Sequence, residues 1–89
     1  MVIQRYLDLN RIQKIIAIRD CLDQQSRYFK KEIQLTEYLD GLKEAPFVVQ
    51  VEHFYRALLQ RGDIDQNRFN QLVHERQLKL EQGLTQLLT

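Results

Sequence analysis

Hydrophobic periodicity predicts a long helix at the start of the chain. Asp8 or Asn10 can serve as the N-cap of this helix, because either side chain can accept a hydrogen bond from its first free amides. Most of the apolar residues that follow fall on one side of a helical wheel, which is typical of a helix buried along one face. This first stripe consists of Ile12, Ile15, Ile16, Ile18, Leu22, Phe29 and Ile33.

The phase of the pattern changes around residues 31–36. Tyr38, Leu39 and Leu42 lie nearly opposite the first stripe, so a straight helix would have to bury both of its sides. Two interpretations remain open. The chain breaks here, with Thr36 as a possible cap for a short second helix, or one long helix changes partners along its length.

The second half of the chain predicts a helical hairpin. A corner over residues 41–46 leads into a helix from Pro46 to Gln60, because proline is tolerated in a first helical turn. Gly62 can end that helix in the left-handed conformation. A final helix from about Asp65 to Leu88 would be about 35 Å long.

The corner GDIDQNRF resembles a calcium loop only in part. Asp63, Asp65 and Asn67 occupy its first, third and fifth positions, but Arg68 replaces the required glycine and His74 replaces the bidentate glutamate. We therefore interpret the segment as a tight corner in which an aspartate caps the last helix and Ile64 fills the gap between the helices.

The longer phrase LLQRGDIDQNRF resembles the turns of helical hairpins. It is similar to the short hairpins at the C-termini of some bacterial proteins and to the turn of tetratricopeptide units. The repeat of roughly 34 residues that defines tetratricopeptide proteins is absent. The resemblance therefore implies a hairpin and no particular function.

Together these elements predict an all-α protein of three or four helices. A long N-terminal helix would pack on a C-terminal antiparallel helical hairpin, and residues 1–89 would form a single domain.

Cys21 is the only cysteine, which is typical of a reducing compartment. With no signal-like segment and no apolar run long enough to span a bilayer, we expect a cytoplasmic protein that does not bind membranes.

Charge and candidate chemistry give little indication of catalysis. The chain has 13 Lys and Arg against 12 Asp and Glu, yet residues 1–31 carry a net +4 and residues 32–54 a net −4. His53, His74 and Cys21 are too far apart in sequence to indicate a zinc site or a nucleophile pair. We expect no enzyme activity, no metal and no cofactor.

The stripes of the two long helices predict binding to another protein. The helix between them is too short to cover both, so uncovered apolar surface would require a second chain, as a homodimer or a hetero-complex. A compact monomer whose helices bend to cover every stripe is the alternative. The residues expected to contact the partner are Leu78, Leu84, Leu87 and Leu88, followed by Tyr38, Leu39 and Leu42.

Nucleic-acid binding is a second interpretation. Arg27, Lys30 and Lys31 form the densest basic cluster of the chain, beside Tyr28 and Phe29. Basic side chains next to exposed aromatic rings can hold phosphates and stack on bases. Against this, Phe29 falls on the stripe that is expected to be buried.

Overall fold

The computed structural model describes the backbone of residues 2–88 and the side chains of residues 11–82. Within that part of the chain the protein is all-α, with four helices and no strand, as predicted. The helices are α1 (Val2–Phe29), α2 (Leu35–Glu44), α3 (Glu52–Arg61) and α4 (Gln66–Leu88). The helices form two compact units, Met1–Val49 and Gln50–Thr89. The packing of the long first helix on the hairpin, and the single domain, stay predictions.

Helix α1 begins earlier than the sequence pattern predicted. It starts at Val2, so Asp8 and Asn10 lie inside the helix and neither is its N-cap. No glycine or proline interrupts residues 2–29, and the segment is rich in residues of good helix propensity. The local sequence therefore allows the helix to start before either of these capping residues.

The chain breaks between α1 and α2, which confirms the first of the two interpretations. Lys31 adopts a left-handed conformation with φ of 62°. Its N–H donates to the carbonyl of Tyr28 at 3.0 Å, and the N–H of Glu32 donates to the carbonyl of Arg27 at 2.8 Å. These two bonds form a Schellman-type helix end. Thr36 is not the cap, because α2 already begins at Leu35.

The next corner lies later than predicted. Gly41 is inside α2, which ends at Glu44, and Pro46 starts a turn rather than a helix. The N–H of Val49 donates to the carbonyl of Pro46 at 2.9 Å and closes that turn. Helix α3 consequently starts at Glu52, so it is shorter than the sequence pattern predicted.

The C-terminal helical pair is confirmed at its corner. Gly62 has φ of 82°, its N–H donates to the carbonyl of Leu59, and the N–H of Asp63 donates to the carbonyl of Leu58. The side chain of Asp65 then caps α4 by accepting a bond from the N–H of Arg68 at 2.7 Å. As expected, Ile64 is buried.

The core of the second unit lies between α3 and α4. Its buried side chains are Val51, Phe54, Tyr55, Leu58, Ile64, Phe69 and Leu72. The Arg56 guanidinium lies over the Phe69 ring at 5.7 Å from its centroid and also bonds Glu52 at 3.0 Å. Through these two contacts Arg56 connects the exposed edge of α3 to α4.

Candidate protein-binding site

The first apolar stripe of α1 is exposed, which corrects the prediction that it is buried. Ile12, Ile15 and Ile16 are 52%, 59% and 53% exposed, and Leu22 is 50% exposed. Over residues 11–29 of α1, the buried residues are Ala17 and Cys21. At 100° per residue Ala17 lies about 200° from Ile15, on the other side of the helix.

The pairing of α1 with α2 explains this orientation. Tyr28 of α1 stacks on Tyr38 of α2, with ring centroids 5.2 Å apart and planes inclined by 19°. That stack turns the Ala17 and Cys21 side of α1 towards α2. The small residues on that side allow close approach of the helix, while the isoleucines face outwards.

A groove lies between α1 and the C-terminal end of α2 with its following turn. Its volume is about 710 Å³ and it is partly open to solvent. The apolar residues that line it are Ile16, Ala17, Cys21, Leu42, Ala45, Pro46 and Val48, with Gly41 between them. The polar residues that line it are Gln13, Asp20, Gln24 and Glu44. Among residues 11–82, no lysine or arginine lines this groove.

The groove and the exposed stripe are continuous. Ile16 belongs to both, so apolar surface extends from the groove onto Ile12 and Ile15. Val48 at the other lip is 48% exposed. We call the groove and these exposed residues the α1 apolar surface.

Helix α4 has two further exposed apolar residues, which lie on nearly opposite sides of the helix. Because α3 has 10 residues and α4 has 23, α4 extends beyond α3 after about residue 76. Leu78 and Leu80, past that point, are 43% and 42% exposed. Leu84, Leu87 and Leu88 lie outside the described side chains.

The remaining predicted contact residues are inside the protein. Tyr38, Leu39 and Leu42 are 0%, 5% and 1% exposed, which corrects the expectation that their stripe is uncovered. Of the three, Leu42 still contributes to the lining of the groove and so belongs to the α1 apolar surface. The change of phase that singled them out reflects the chain break near Lys31. Because α2 is a separate helix, its apolar side can turn inwards without burying the α1 stripe.

The basic cluster lies at the end of α1. Arg27 pairs with Glu32 at 3.7 Å, and Lys30 and Lys31 are exposed. Phe29 is 38% exposed rather than buried, and its ring contacts Tyr28 at a centroid distance of 6.0 Å. One aromatic ring is therefore accessible beside the cluster.

The described residues present no metal-binding constellation and no membrane-spanning segment. Within residues 11–82, no three His, Cys, Asp or Glu side chains come together as candidate metal ligands. Both histidines are exposed, and Nε2 of His53 lies 3.1 Å from the side-chain oxygen of Gln50. None of the helices in residues 2–88 combines the length and apolar character that crossing a bilayer requires.

Sequence periodicity identified the residues of the exposed stripe but placed them in the core. It missed the groove, because Gly41, Ala45 and Pro46 have small or rigid side chains that give no periodic signal.

Comparison of the chain with protein-family models, curated proteins and solved structures found no match.

Proposed function

We propose that this protein is a non-catalytic protein–protein interaction module, a subunit or adaptor that binds its partner through the α1 apolar surface. The observation that carries the proposal is the exposure of Ile12, Ile15 and Ile16, each more than half exposed on one face of one helix. Single exposed apolar residues are ordinary, but a contiguous set beside an apolar groove is typical of binding surfaces.

Energetics favour covering this surface. Burial of an isoleucine side chain stabilises a complex by roughly 1.5–3 kcal/mol before the costs of association. A helix that presents residues at i, i+3 and i+4 is the usual way in which helices recognise one another. Leu78 and Leu80 of the second unit would make separate contacts.

Two matched variants test the proposal. Ile12→Glu with Ile15→Glu places two charges on the exposed stripe, whereas Gln60→Glu with Gln77→Glu places two charges on exposed positions of α3 and α4. Tagged protein from the native cell, compared by quantitative mass spectrometry, should lose its main partner with the first pair and keep it with the second. Sedimentation of the purified chain across micromolar concentrations shows whether that partner is a second copy.

The proposal fails if the wild-type chain is a stable monomer that co-purifies with no protein. It also fails if the isoleucine variant keeps every partner in wild-type amounts. Circular dichroism of both variants provides the folding control, because all four substituted side chains are exposed.

Nucleic-acid binding remains the second candidate, and one observation favours it. Phe29 is exposed next to Lys30 and Lys31, where an aromatic ring can stack on a base while the ammonium groups contact phosphates. The ion pair of Arg27 with Glu32 weakens the local positive field. A filter-binding titration decides, because affinity should fall steeply with salt and disappear in the Arg27, Lys30, Lys31 triple-alanine variant.

A further inference from the structure

The charge around the groove indicates what kind of partner segment it accepts. Asp20 lies on the α1 wall and Glu44 on the α2 wall, and both are exposed. The other polar residues of the lining, Gln13 and Gln24, carry no charge. An occupant therefore meets apolar side chains together with one carboxylate from each helix.

The α2 side adds further acidic residues, whereas the basic residues at positions 11–19 of α1 do not line the groove. Glu37 and Asp40 are exposed on α2, the helix that supplies one wall. Residues 32–54 carry five acidic and one basic side chain, a net −4. Lys43 is the single basic residue of that segment, and it does not line the groove.

The length of the groove matches a short helix. Its α1 wall extends from Gln13 to Gln24, which is about 17 Å at 1.5 Å per residue. That distance is about three turns of helix. The apolar surface also continues past Ile16 onto Ile12 and Ile15, so an occupant that covers it has to be longer than a small molecule.

We infer that the groove binds an amphipathic helix of a protein partner whose apolar stripe is flanked by lysine or arginine. The apolar side chains fill the space over Ala17, Cys21 and Leu42, and the flanking cations lie against Asp20 and Glu44. This inference rests on the proposed function and adds the chemistry of the partner. Opposite charges at the edges of such a groove set orientation and exclude acidic competitors.

A displayed library of amphipathic helices tests the inference without knowledge of the natural partner. Its apolar positions vary among Leu, Ile, Phe, Met and Ala, and its flanking positions vary among Lys, Glu, Gln and Ser. Selection on the wild-type protein should enrich lysine at the flanking positions. Representative peptides with Lys should bind at least about tenfold more tightly than the same peptides with Glu, as two charge pairs of ordinary strength allow.

The charge-reversed protein provides the decisive comparison. Asp20→Lys with Glu44→Lys should invert the selection, so that glutamate is enriched in place of lysine. The matched control, Asp23→Lys with Glu81→Lys, changes two exposed carboxylates that do not line the groove and should keep the wild-type preference.

Three results would overturn the inference. They are no enriched helix, enrichment without a charge preference, or a preference that the Asp20 and Glu44 reversal leaves unchanged. If any of these occurs while Ile12→Glu with Ile15→Glu still removes the native partner, the inference fails and the proposed function stands. Blocking the groove with Ala45→Trp should abolish binding of the selected peptides, and unchanged binding would locate them elsewhere.

Discussion

The two units of this protein contain similar helices, but the apolar stripe of the long helix is buried in one unit and exposed in the other. Each unit combines a long helix with a helix of 10 residues. The first helix of each unit, α1 or α3, ends in the same pair of backbone hydrogen bonds. In the second unit the apolar stripe of the long helix enters the core through Phe69 and Leu72. In the first unit the stripe of α1 faces outwards, and the buried residues in the described part of this helix, residues 11–29, are Ala17 and Cys21.

The difference separates two uses of an amphipathic helix. An apolar stripe stabilises the fold where its own neighbour covers it, as α3 covers the first half of α4. It is available for recognition where the neighbour packs on another side, as in α1. Periodicity alone identifies both stripes and cannot distinguish the two uses.

The largest expected effect contrasts a buried leucine with an exposed isoleucine. Leu72→Ala should lower the free energy of unfolding by about 3 kcal/mol, because it removes methyl groups from a closely packed core. Ile15→Ala should change it by less than about 0.5 kcal/mol, since its side chain is mostly exposed. Urea denaturation at a low protein concentration measures both, and similar losses would mean that the α1 stripe is part of the core.

The second comparison concerns the two Schellman-type helix ends. Gly62 and Lys31 both adopt positive φ, 82° and 62° respectively. Glycine takes this conformation without a steric penalty, whereas a residue with a Cβ atom is strained there by about 1–2 kcal/mol. The same turn is therefore relaxed in the second unit and strained in the first.

Valine at the relaxed end should destabilise the second unit. Gly62→Val should cost about 1–2 kcal/mol of unfolding free energy through the backbone alone, because a Cβ atom at this position meets no other atom within 4 Å. Gly41→Ala is the matched control, since Gly41 lies inside α2 and also has open space. It should instead stabilise by about 0.5–1 kcal/mol. A melting temperature unaffected by Gly62→Val would contradict the left-handed turn.

Glycine at the strained end should stabilise the first unit by a smaller amount. Lys31→Gly relieves the left-handed strain but adds freedom to the unfolded chain, so the expected net gain is about 0.5 kcal/mol. Lys30→Gly, one residue earlier with negative φ, gains no such relief and should lose stability. Thermal unfolding followed by circular dichroism distinguishes the two variants, and equal losses would argue against strain at Lys31.

Much of the helical fold was predictable because local signals agreed with tertiary packing. Gly62, Asp65 and Ile64 each have one dominant role in a helical corner, and the structure gives them those roles. The break near Lys31 followed from a shift in hydrophobic phase, although no glycine or proline marks it. There the shift of apolar face, and not backbone propensity, indicated the boundary.

The errors arose where several local solutions have similar free energies. Gly41 and Pro46 are ordinary corner residues, but Gly41 is tolerated inside α2 at a cost of about 1 kcal/mol. The orientation of α1 depends on the stack of Tyr28 on Tyr38, which joins residues ten positions apart. The hydrophobic periodicity of α1 and α2 gives no signal of this contact. The exposed α1 stripe was consequently predicted as core, and the buried Tyr38 and Leu39 were predicted as a binding surface. Leu42 was predicted as a contact residue too, and it lines the groove although it is buried.

The smallest expected effect is a pH dependence that Tyr55 gives to the second unit. Burial raises the pKa of the Tyr55 phenol above its ordinary value of 10.0, while Arg76 opposes the shift. A raised folded pKa means that the fold favours the neutral phenol, so the contribution of Tyr55 is complete below pH 10.0 and decreases as the pH rises above it. The melting temperature of Tyr55→Phe should therefore fall less between neutral pH and pH 11 than that of the wild type, because phenylalanine cannot ionise. Parallel pH profiles for Tyr55→Phe and the wild type would show that the Tyr55 site accommodates the phenolate as well as water does.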